Sequence, residues 1–92
     1  FVDFTAAWCI VCQANKVRVL ESLEIEDAFR KHRIVLVRAD WTKPNELIKN
    51  EILNFNRLGI PLNVIYFPDD RKPKILPEWL NKQQILEIFN KG

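Results

Sequence analysis

The chain has 92 residues, of which 48% are hydrophobic, and this is enough for one domain with a modest hydrophobic core. Its 14 basic and 12 acidic residues give a formal net charge of +2 and are interspersed, so no nucleic-acid-binding surface is predicted. No apolar run approaches the roughly 18 residues that a membrane-spanning helix needs. The sequence therefore predicts a single folded domain over residues 1–92.

The first predicted elements are a buried strand around residues 2–4 and a helix that continues from Cys12 to about Leu23. The strand is a short apolar run, whereas the apolar residues after Cys12 recur at helical period. A further helical segment is predicted over residues 24–31, because its acidic start and basic end complement the helix dipole. His32 belongs to the basic end and is interpreted as a helix-end residue rather than a catalytic base.

The middle of the chain predicts a strand followed by a helix. Residues 34–39 form a β-branched run of strand length. Thr42 is the predicted N-cap of the next helix, with Pro44 in its first turn. Five apolar residues of this helix are expected to face inward: Leu47, Ile48, Ile52, Leu53 and Phe55.

Prolines delimit the last two strands. Pro61 opens a strand predicted over residues 62–67, and the peptide bond that precedes this proline is a candidate for the cis isomer. Residues 68–73 predict a turn of hairpin length, which leads into a short antiparallel edge strand over 74–76.

A last helix is predicted after Asn81, which serves as its N-cap, with apolar residues facing the sheet at Ile85, Leu86, Ile88 and Phe89. The complete order is β, α, β, α, β, β, α. This order predicts an α/β domain with a central mixed sheet, in which parallel strands are joined by helices and a C-terminal antiparallel hairpin closes the sheet.

The two cysteines, Cys9 and Cys12, form a Cys-x-x-C pair at the junction of the first strand and helix. Because the positive end of a helix stabilises a thiolate, Cys9 is the predicted nucleophile and Cys12 the resolving thiol. A bridge of this span closes almost no chain, so a working disulfide is favoured over a structural one. Zinc would need two more ligands, and only His32 and carboxylates are available, so we predict no metal and no other cofactor.

Asp3 lies in the first predicted strand, six residues before Cys9. A carboxylate in an apolar strand is unfavourable unless it is used or neutralised. We interpret Asp3 as the group that accepts, through water, the proton of Cys12 when that thiol attacks a mixed disulfide. The alternative is an acid at a frayed strand end.

Three motifs together resemble the thioredoxin superfamily: Val2-Asp3-Phe4, Ala7-Trp8-Cys9-Ile10-Val11-Cys12 and Gly59-Ile60-Pro61. Within it, residues 4–9, 39–42, 59–62 and 76–78 look most like the C-terminal periplasmic domain of DsbD-type thiol:disulfide interchange proteins, which are related to the membrane reductases that suppress copper sensitivity. The predicted fold is then thioredoxin-like without its first strand and helix. With no initial Met, this indicates an N-terminally truncated piece of a longer, membrane-anchored protein.

That resemblance implies a protein-disulfide reductase that receives electrons from a membrane-embedded thiol pair. It would pass them to periplasmic proteins at the inner membrane, as in cytochrome c biogenesis. The implied partners are the membrane and N-terminal domains of the same protein and periplasmic thioredoxin-like proteins, with the domain itself a monomer. The Cys9–Cys12 disulfide is the only redox group implied.

The resemblance also implies a partner-binding surface formed by Trp8, Ile10, Val11, Ile60 and Pro61. Trp8 is expected beside the sulfurs, although an ordinary core residue is the alternative. Pro61, if cis, would sit against the cysteine pair and expose the Ile60 backbone to an incoming strand, and a plain strand-start proline is its alternative.

Two departures from the family pattern stand out. Ile10-Val11 is not the Gly-Pro of ordinary thioredoxins, which argues against a general cytosolic reductant. Lys16 stands where related domains often have an acidic residue. Trp41 and Trp79 are interpreted as packing residues.

Two other functions are compatible with these features. One is a free-standing thioredoxin or cytochrome-maturation reductase, which shares the chemistry but not the membrane tether. The other is a redox-inert thioredoxin-like binding module, against which the intact cysteine pair beside Trp8 argues.

Overall fold

A computed structural model describes residues 1–91 of the chain. In this range the strands are β1 (Val2–Thr5), β2 (Val37–Asp40), β3 (Leu62–Ile65) and β4 (Lys74–Ile75). The α-helices are α1 (Ile10–Asn15), α2 (Leu23–Lys31), α3 (Glu46–Asn54) and α4 (Lys82–Asn90). A π-helical segment, Lys16–Leu20, continues α1 directly. None of these helices is long and apolar enough to cross a membrane.

The four strands form one mixed sheet in the order β2-β1-β3-β4. Strands β1 and β2 are parallel, with Asp3 opposite Arg38. Strand β3 runs antiparallel to β1, and β4 runs antiparallel to β3. The mixed α/β sheet with its C-terminal antiparallel hairpin is therefore confirmed. Of the strands that helices connect, β1 and β2 are parallel, whereas β3 is antiparallel to its neighbour β1.

The sheet carries a hydrophobic core on each face. The larger core joins the π-helical segment, α2 and α4 to the sheet through Val19, Leu20, Ile25, Phe29, Ile65, Ile85, Phe89 and their neighbours. The smaller core, on the opposite face, consists of Phe4, Ile52, Leu62 and Val64, and α3 contributes the buried Ile52 together with the partly buried Ile48. The cysteine pair forms a third small cluster with Ala6.

The first helical region ends at Leu20, before the predicted end at Leu23. Ser22 interrupts it, because its hydroxyl accepts the Ile25 backbone N–H at 3.4 Å and caps α2. The predicted acidic start and basic end of α2 are present. His32 is the C-cap of α2, as predicted for a helix-end residue.

Strand β2 begins at Val37 rather than at residue 34. The parallel register pairs Val2 with Val37, so residues 34–36 precede the segment that pairs with β1. Strand β3 likewise ends at Ile65 and β4 at Ile75, both earlier than predicted.

The prediction that Thr42 caps α3 is wrong. The N-cap is Asn45, whose side chain accepts a backbone N–H three residues further on at 3.1 Å. The Thr42 hydroxyl is instead engaged with Asp40 and with the loop before the cysteines. Leu47 and Leu53 were expected to face inward, but they are 79% and 44% exposed. The face of α3 that packs on the sheet carries Ile48 and Ile52, and each leucine is rotated by about 100° from one of these isoleucines.

The C-terminal helix agrees with the prediction. The Asn81 side chain accepts the Gln84 backbone N–H at 3.0 Å and caps α4. Ile85 and Phe89 are buried, and two further apolar residues pack against the same core: Leu86 and Ile88.

Candidate active site

Cys9 and Cys12 are joined by a disulfide at the start of α1, with 5.2 Å between their Cα atoms. Cys9 is the N-cap of this helix, in an extended conformation. Its sulfur accepts the backbone N–H of Cys12 at 3.2 Å. Cys9 is 7% exposed and Cys12 is 1% exposed, so Cys9 is the more accessible of the two sulfur-bearing residues. An incoming thiolate or disulfide therefore meets Cys9 first.

The loop that carries the cysteines is fastened to the end of β2. The backbone N–H of Ala7 donates to the Thr42 hydroxyl oxygen at 2.9 Å, and that hydroxyl donates to Asp40 at 2.5 Å. The Asp40 carboxylate also accepts the Thr42 backbone N–H, and these hydrogen bonds hold the pKa of Asp40 below its usual value. On the other side, the Gln13 side chain donates to the Ala6 carbonyl at 2.9 Å. The helix start thus has a fixed position relative to the sheet.

The Ile60–Pro61 peptide bond is cis, in the loop that leads into β3. Ile60 packs against the cluster formed by Ala6, Cys9 and Cys12. The topology therefore brings a segment some fifty residues away in sequence to the disulfide. The sequence motifs had implied that Pro61 sits against the cysteine pair and that the Ile60 backbone is exposed, whereas the residue that packs on the cluster is Ile60.

The surface around the disulfide is apolar. Trp8, Ile10 and Val11 are 59%, 84% and 37% exposed, so Trp8 is not an ordinary core residue. Its ring centroid lies 6.2 Å from that of Trp41. These two indoles border a groove of about 370 Å³ whose far wall is the start of α3, including Glu46.

Asp3 lies inside the sheet rather than at a frayed end, because β1 extends to both sides of it and the residue is only 2% exposed. Burial raises the pKa of Asp3 to about 6, against the opposing effect of the positive charges of Arg38 and Lys16. Lys16 follows Cys12 by one helical turn, so Asp3 lies close to the helix that carries the resolving cysteine.

Two buried asparagines near the site were missed by the sequence analysis. Asn15 donates to the Glu78 carbonyl at 2.8 Å and accepts the Leu80 backbone N–H at 3.1 Å, which fixes the loop before α4 to α1. Asn63 is 1% exposed and lies opposite Asp3 on β3. The available signal was the amide of Asn63 inside the apolar run Leu62–Ile65.

Residues 1–91 contain no group of three or more His, Cys, Asp or Glu side chains that could hold a metal ion. The site can open and close its disulfide by exchange with an external thiol or disulfide, and the Asp3 carboxyl can take up a proton.

Comparisons with known proteins agree with this geometry. A family model described as thioredoxin-like matches residues 1–68. Two crystal structures of the Neisseria meningitidis DsbD C-terminal domain, in reduced and oxidised forms, superpose with TM-scores of 0.76 and 0.78. Each is 20% identical over 98% of this chain and 76% of the other. No curated protein sequence gives a significant match. The thioredoxin-like fold is thereby confirmed.

Proposed function

Because this chain belongs to the thioredoxin-like family and holds its Cys-x-x-C pair as a disulfide, we propose that it is a DsbD-type thiol:disulfide oxidoreductase domain. The observation that carries the proposal is the placement of Cys9 as a helix N-cap whose sulfur accepts a backbone N–H. A hydrogen-bond donor aimed at this sulfur favours its thiolate once the disulfide is reduced. The redox centre is the cysteine pair itself.

The reaction is two successive thiol–disulfide exchanges. The Cys9 thiolate attacks a partner disulfide, a Cys9–partner bond forms, and the partner's second sulfur leaves as a thiolate. The Cys12 sulfur then attacks Cys9 and releases the partner's first sulfur as a thiolate. The domain ends with the Cys9–Cys12 disulfide and the partner ends with two reduced sulfurs. The reverse sequence reloads the domain from an electron donor.

Asp3 is the proposed acceptor of the Cys12 proton in the second exchange. Its burial and its nearness to the helix that carries Cys12 support this role, since a carboxyl with a pKa of about 6 takes up and releases protons near neutral pH. The proton returns to Cys12 when the disulfide is reduced again.

The proposed setting is a domain of a longer membrane protein, at the periplasmic face of a bacterial inner membrane. There it would act as a protein-disulfide reductase between a membrane-embedded thiol pair and periplasmic thioredoxin-like proteins, including those of cytochrome c biogenesis. The structural similarity to DsbD C-terminal domains supports this setting. In this proposal the domain is monomeric and takes no part in nucleic-acid binding.

The proposed partner-binding surface is the apolar rim of Trp8, Ile10 and Val11 together with Ile60 and Pro61. Exposed apolar side chains beside the more accessible cysteine support this assignment, because a protein partner must pack there to bring its sulfur within bonding distance. The backbone before Pro61 offers hydrogen-bonding groups to an extended partner segment.

A trapping experiment tests the proposal. Cys12→Ser should accumulate a mixed disulfide through Cys9 when it is mixed with an oxidised periplasmic thioredoxin-like protein, because the resolving thiol is missing. Cys9→Ser is the matched control and should give no adduct, since the remaining Cys12 is only 1% exposed. Absence of an adduct with Cys12→Ser would instead favour a redox-inert binding module.

A redox titration against dithiothreitol and glutathione tests the direction of electron flow. We expect a reversible two-electron transition, followed by Trp8 fluorescence, with a midpoint clearly below the roughly −180 mV typical of disulfide isomerases. A midpoint at or above that value would contradict the reductase role and indicate an oxidase or isomerase.

A further inference from the structure

Asn63 is a buried amide for which the oxidoreductase chemistry described above has no use. Its neighbours on β3 are the apolar residues Leu62, Val64 and Ile65, and all four are buried. Both polar atoms of its side chain, Oδ1 and Nδ2, lack a hydrogen-bond partner among residues 1–91. A buried, unpartnered amide is destabilising, so such a group requires an explanation.

The sheet places Asn63 directly opposite Asp3. The antiparallel register of β1 and β3 pairs these two residues, and paired residues project from the same face of a sheet. Opposite side chains have Cβ atoms about 4.5–5.5 Å apart, a separation that one bridging water between the amide and the carboxyl can span.

Asp3 is surrounded by groups from three elements. Arg38 lies opposite it on β2, and Lys16 interacts with it from the π-helical segment. Strand β3 contributes Asn63, which is polar but uncharged. Arg38 is exposed and Lys16 half-buried, whereas Asn63 is as deeply buried as the carboxyl itself.

A carboxamide is suited to a carboxyl group that changes protonation state. Its N–H₂ group donates to an ionised carboxylate, which only accepts hydrogen bonds, and its oxygen accepts from a protonated carboxyl, which donates one. An aliphatic residue of similar size could do neither.

We propose that Asn63 is a positioning residue for the proton transfer: its carboxamide hydrogen-bonds to the Asp3 carboxyl through one buried water and favours the ionised form that accepts the Cys12 proton. The inference rests on the proposed role of Asp3 and adds a residue on another strand to it. The two unpartnered amide atoms are those that this interaction engages.

The test compares Asn63→Thr with Asn63→Val, which differ only by a hydroxyl in place of a methyl group. The readout is the pH dependence of the rate at which glutathione disulfide oxidises the reduced domain. We expect Asn63→Val to raise the apparent pKa assigned to Asp3 by about one unit, a tenfold change in proton affinity, because the ionised carboxylate loses a donor. Asn63→Thr retains a donor and should stay close to the parent protein.

The same pair in an Asp3→Asn background provides the control, and there the two variants should have identical profiles. If Asn63→Thr and Asn63→Val give the same profile while Asp3→Asn alone abolishes the ionisation, Asn63 has no positioning role and the role of Asp3 stands. If Asp3→Asn leaves the profile unchanged, the proposed role of Asp3 falls, and the inference with it.

A carbon-13 NMR titration of the Asp3 carboxyl in the oxidised domain gives a second readout, independent of activity. The Asp3 pKa should be higher in Asn63→Val than in Asn63→Thr. Equal values would overturn the inference even if both variants exchange disulfides slowly.

Discussion

Asp3 is a carboxyl in the interior of a sheet, where ionisation is less favourable than in water. The free energy of unfolding should therefore depend on pH through this residue. Burial raises its pKa from the ordinary 3.8 to about 6. Between these values the folded chain binds more protons than the unfolded chain, so the free energy of unfolding decreases as pH rises. The stabilisation is complete below pH 3.8 and is lost as pH rises through 6.

Asp3→Asn should remove this pH dependence. A difference of about two pKa units corresponds to roughly 3 kcal/mol, so the variant should gain about that much stability relative to the parent between pH 4 and pH 8. Urea unfolding at several pH values measures it. Asp40→Asn, at an exposed carboxylate whose pKa is lowered, is the control and should show no such gain between pH 5 and 8. A gain for Asp3→Asn that is the same at every pH would contradict the assignment.

The cysteine pair could be predicted from sequence because its chemistry depends on local spacing. Two cysteines separated by two residues at a strand-to-helix junction define a redox pair wherever the rest of the chain lies. The role inferred for Asn63 depends on which residue of β1 it faces, and only the register of the sheet determines that. Asn15 likewise acts through partners more than sixty residues away in sequence.

Helix boundaries show where local signals compete with tertiary contacts. Thr42 and Asn45 are both good N-cap residues, and Thr42 is the one that stands two residues before a proline. In the structure Thr42 joins Asp40 to Ala7, so its hydroxyl is not available to α3. The Asn81 side chain accepts the Gln84 backbone N–H and caps α4 as predicted.

The junction between α1 and the loop before α4 is the contact that fixes the cysteine-bearing helix to the C-terminal part of the chain. Asn15 bonds to the backbone of Glu78 and Leu80, and Arg18 donates to the Leu80 carbonyl. The Arg18 guanidinium also lies 4.3 Å from the ring centroid of Trp79. The prediction that Trp79 is a packing residue agrees with this contact.

Asn15→Ala should therefore destabilise the domain by about 2–3 kcal/mol, because it leaves the Leu80 N–H and the Glu78 carbonyl without their partners. Asn45→Ala is the matched control, since it removes an exposed helix cap at a cost of about 1 kcal/mol. Thermal or urea unfolding of both variants measures the difference. A cost for Asn15→Ala no larger than that for Asn45→Ala would show that the junction contributes little.

The two faces of the sheet are unequally covered. One face has the π-helical segment, α2 and α4 packed in a common core. The other has α3, which buries Ile52 and packs Ile48 against the same core but leaves Leu47 and Leu53 exposed. Free energies of local opening follow the amount of apolar surface that an element buries. Of the helices that pack on the sheet, α3 should therefore have the lowest free energy of local opening. Its first turn also forms a wall of the groove beside Trp8.

Native-state hydrogen exchange should show this difference. The slowest-exchanging amides of α3 should open with a free energy at least about 1 kcal/mol below that of the slowest amides of α2 and α4, because α3 can detach while the larger core stays intact. Ile52→Val and Ile85→Val are a matched pair, since both isoleucines are fully buried and the change removes one methylene group.

Ile52→Val should then accelerate exchange mainly in α3, whereas Ile85→Val should accelerate it throughout the larger core and the sheet. Equal acceleration of all helices by both variants would mean that the two cores unfold as one unit. In that case the groove beside the cysteines could not change shape without global unfolding. Local opening of α3 would instead let the wall opposite Trp8 adjust to partners of different shape while the disulfide and Asp3 keep their positions.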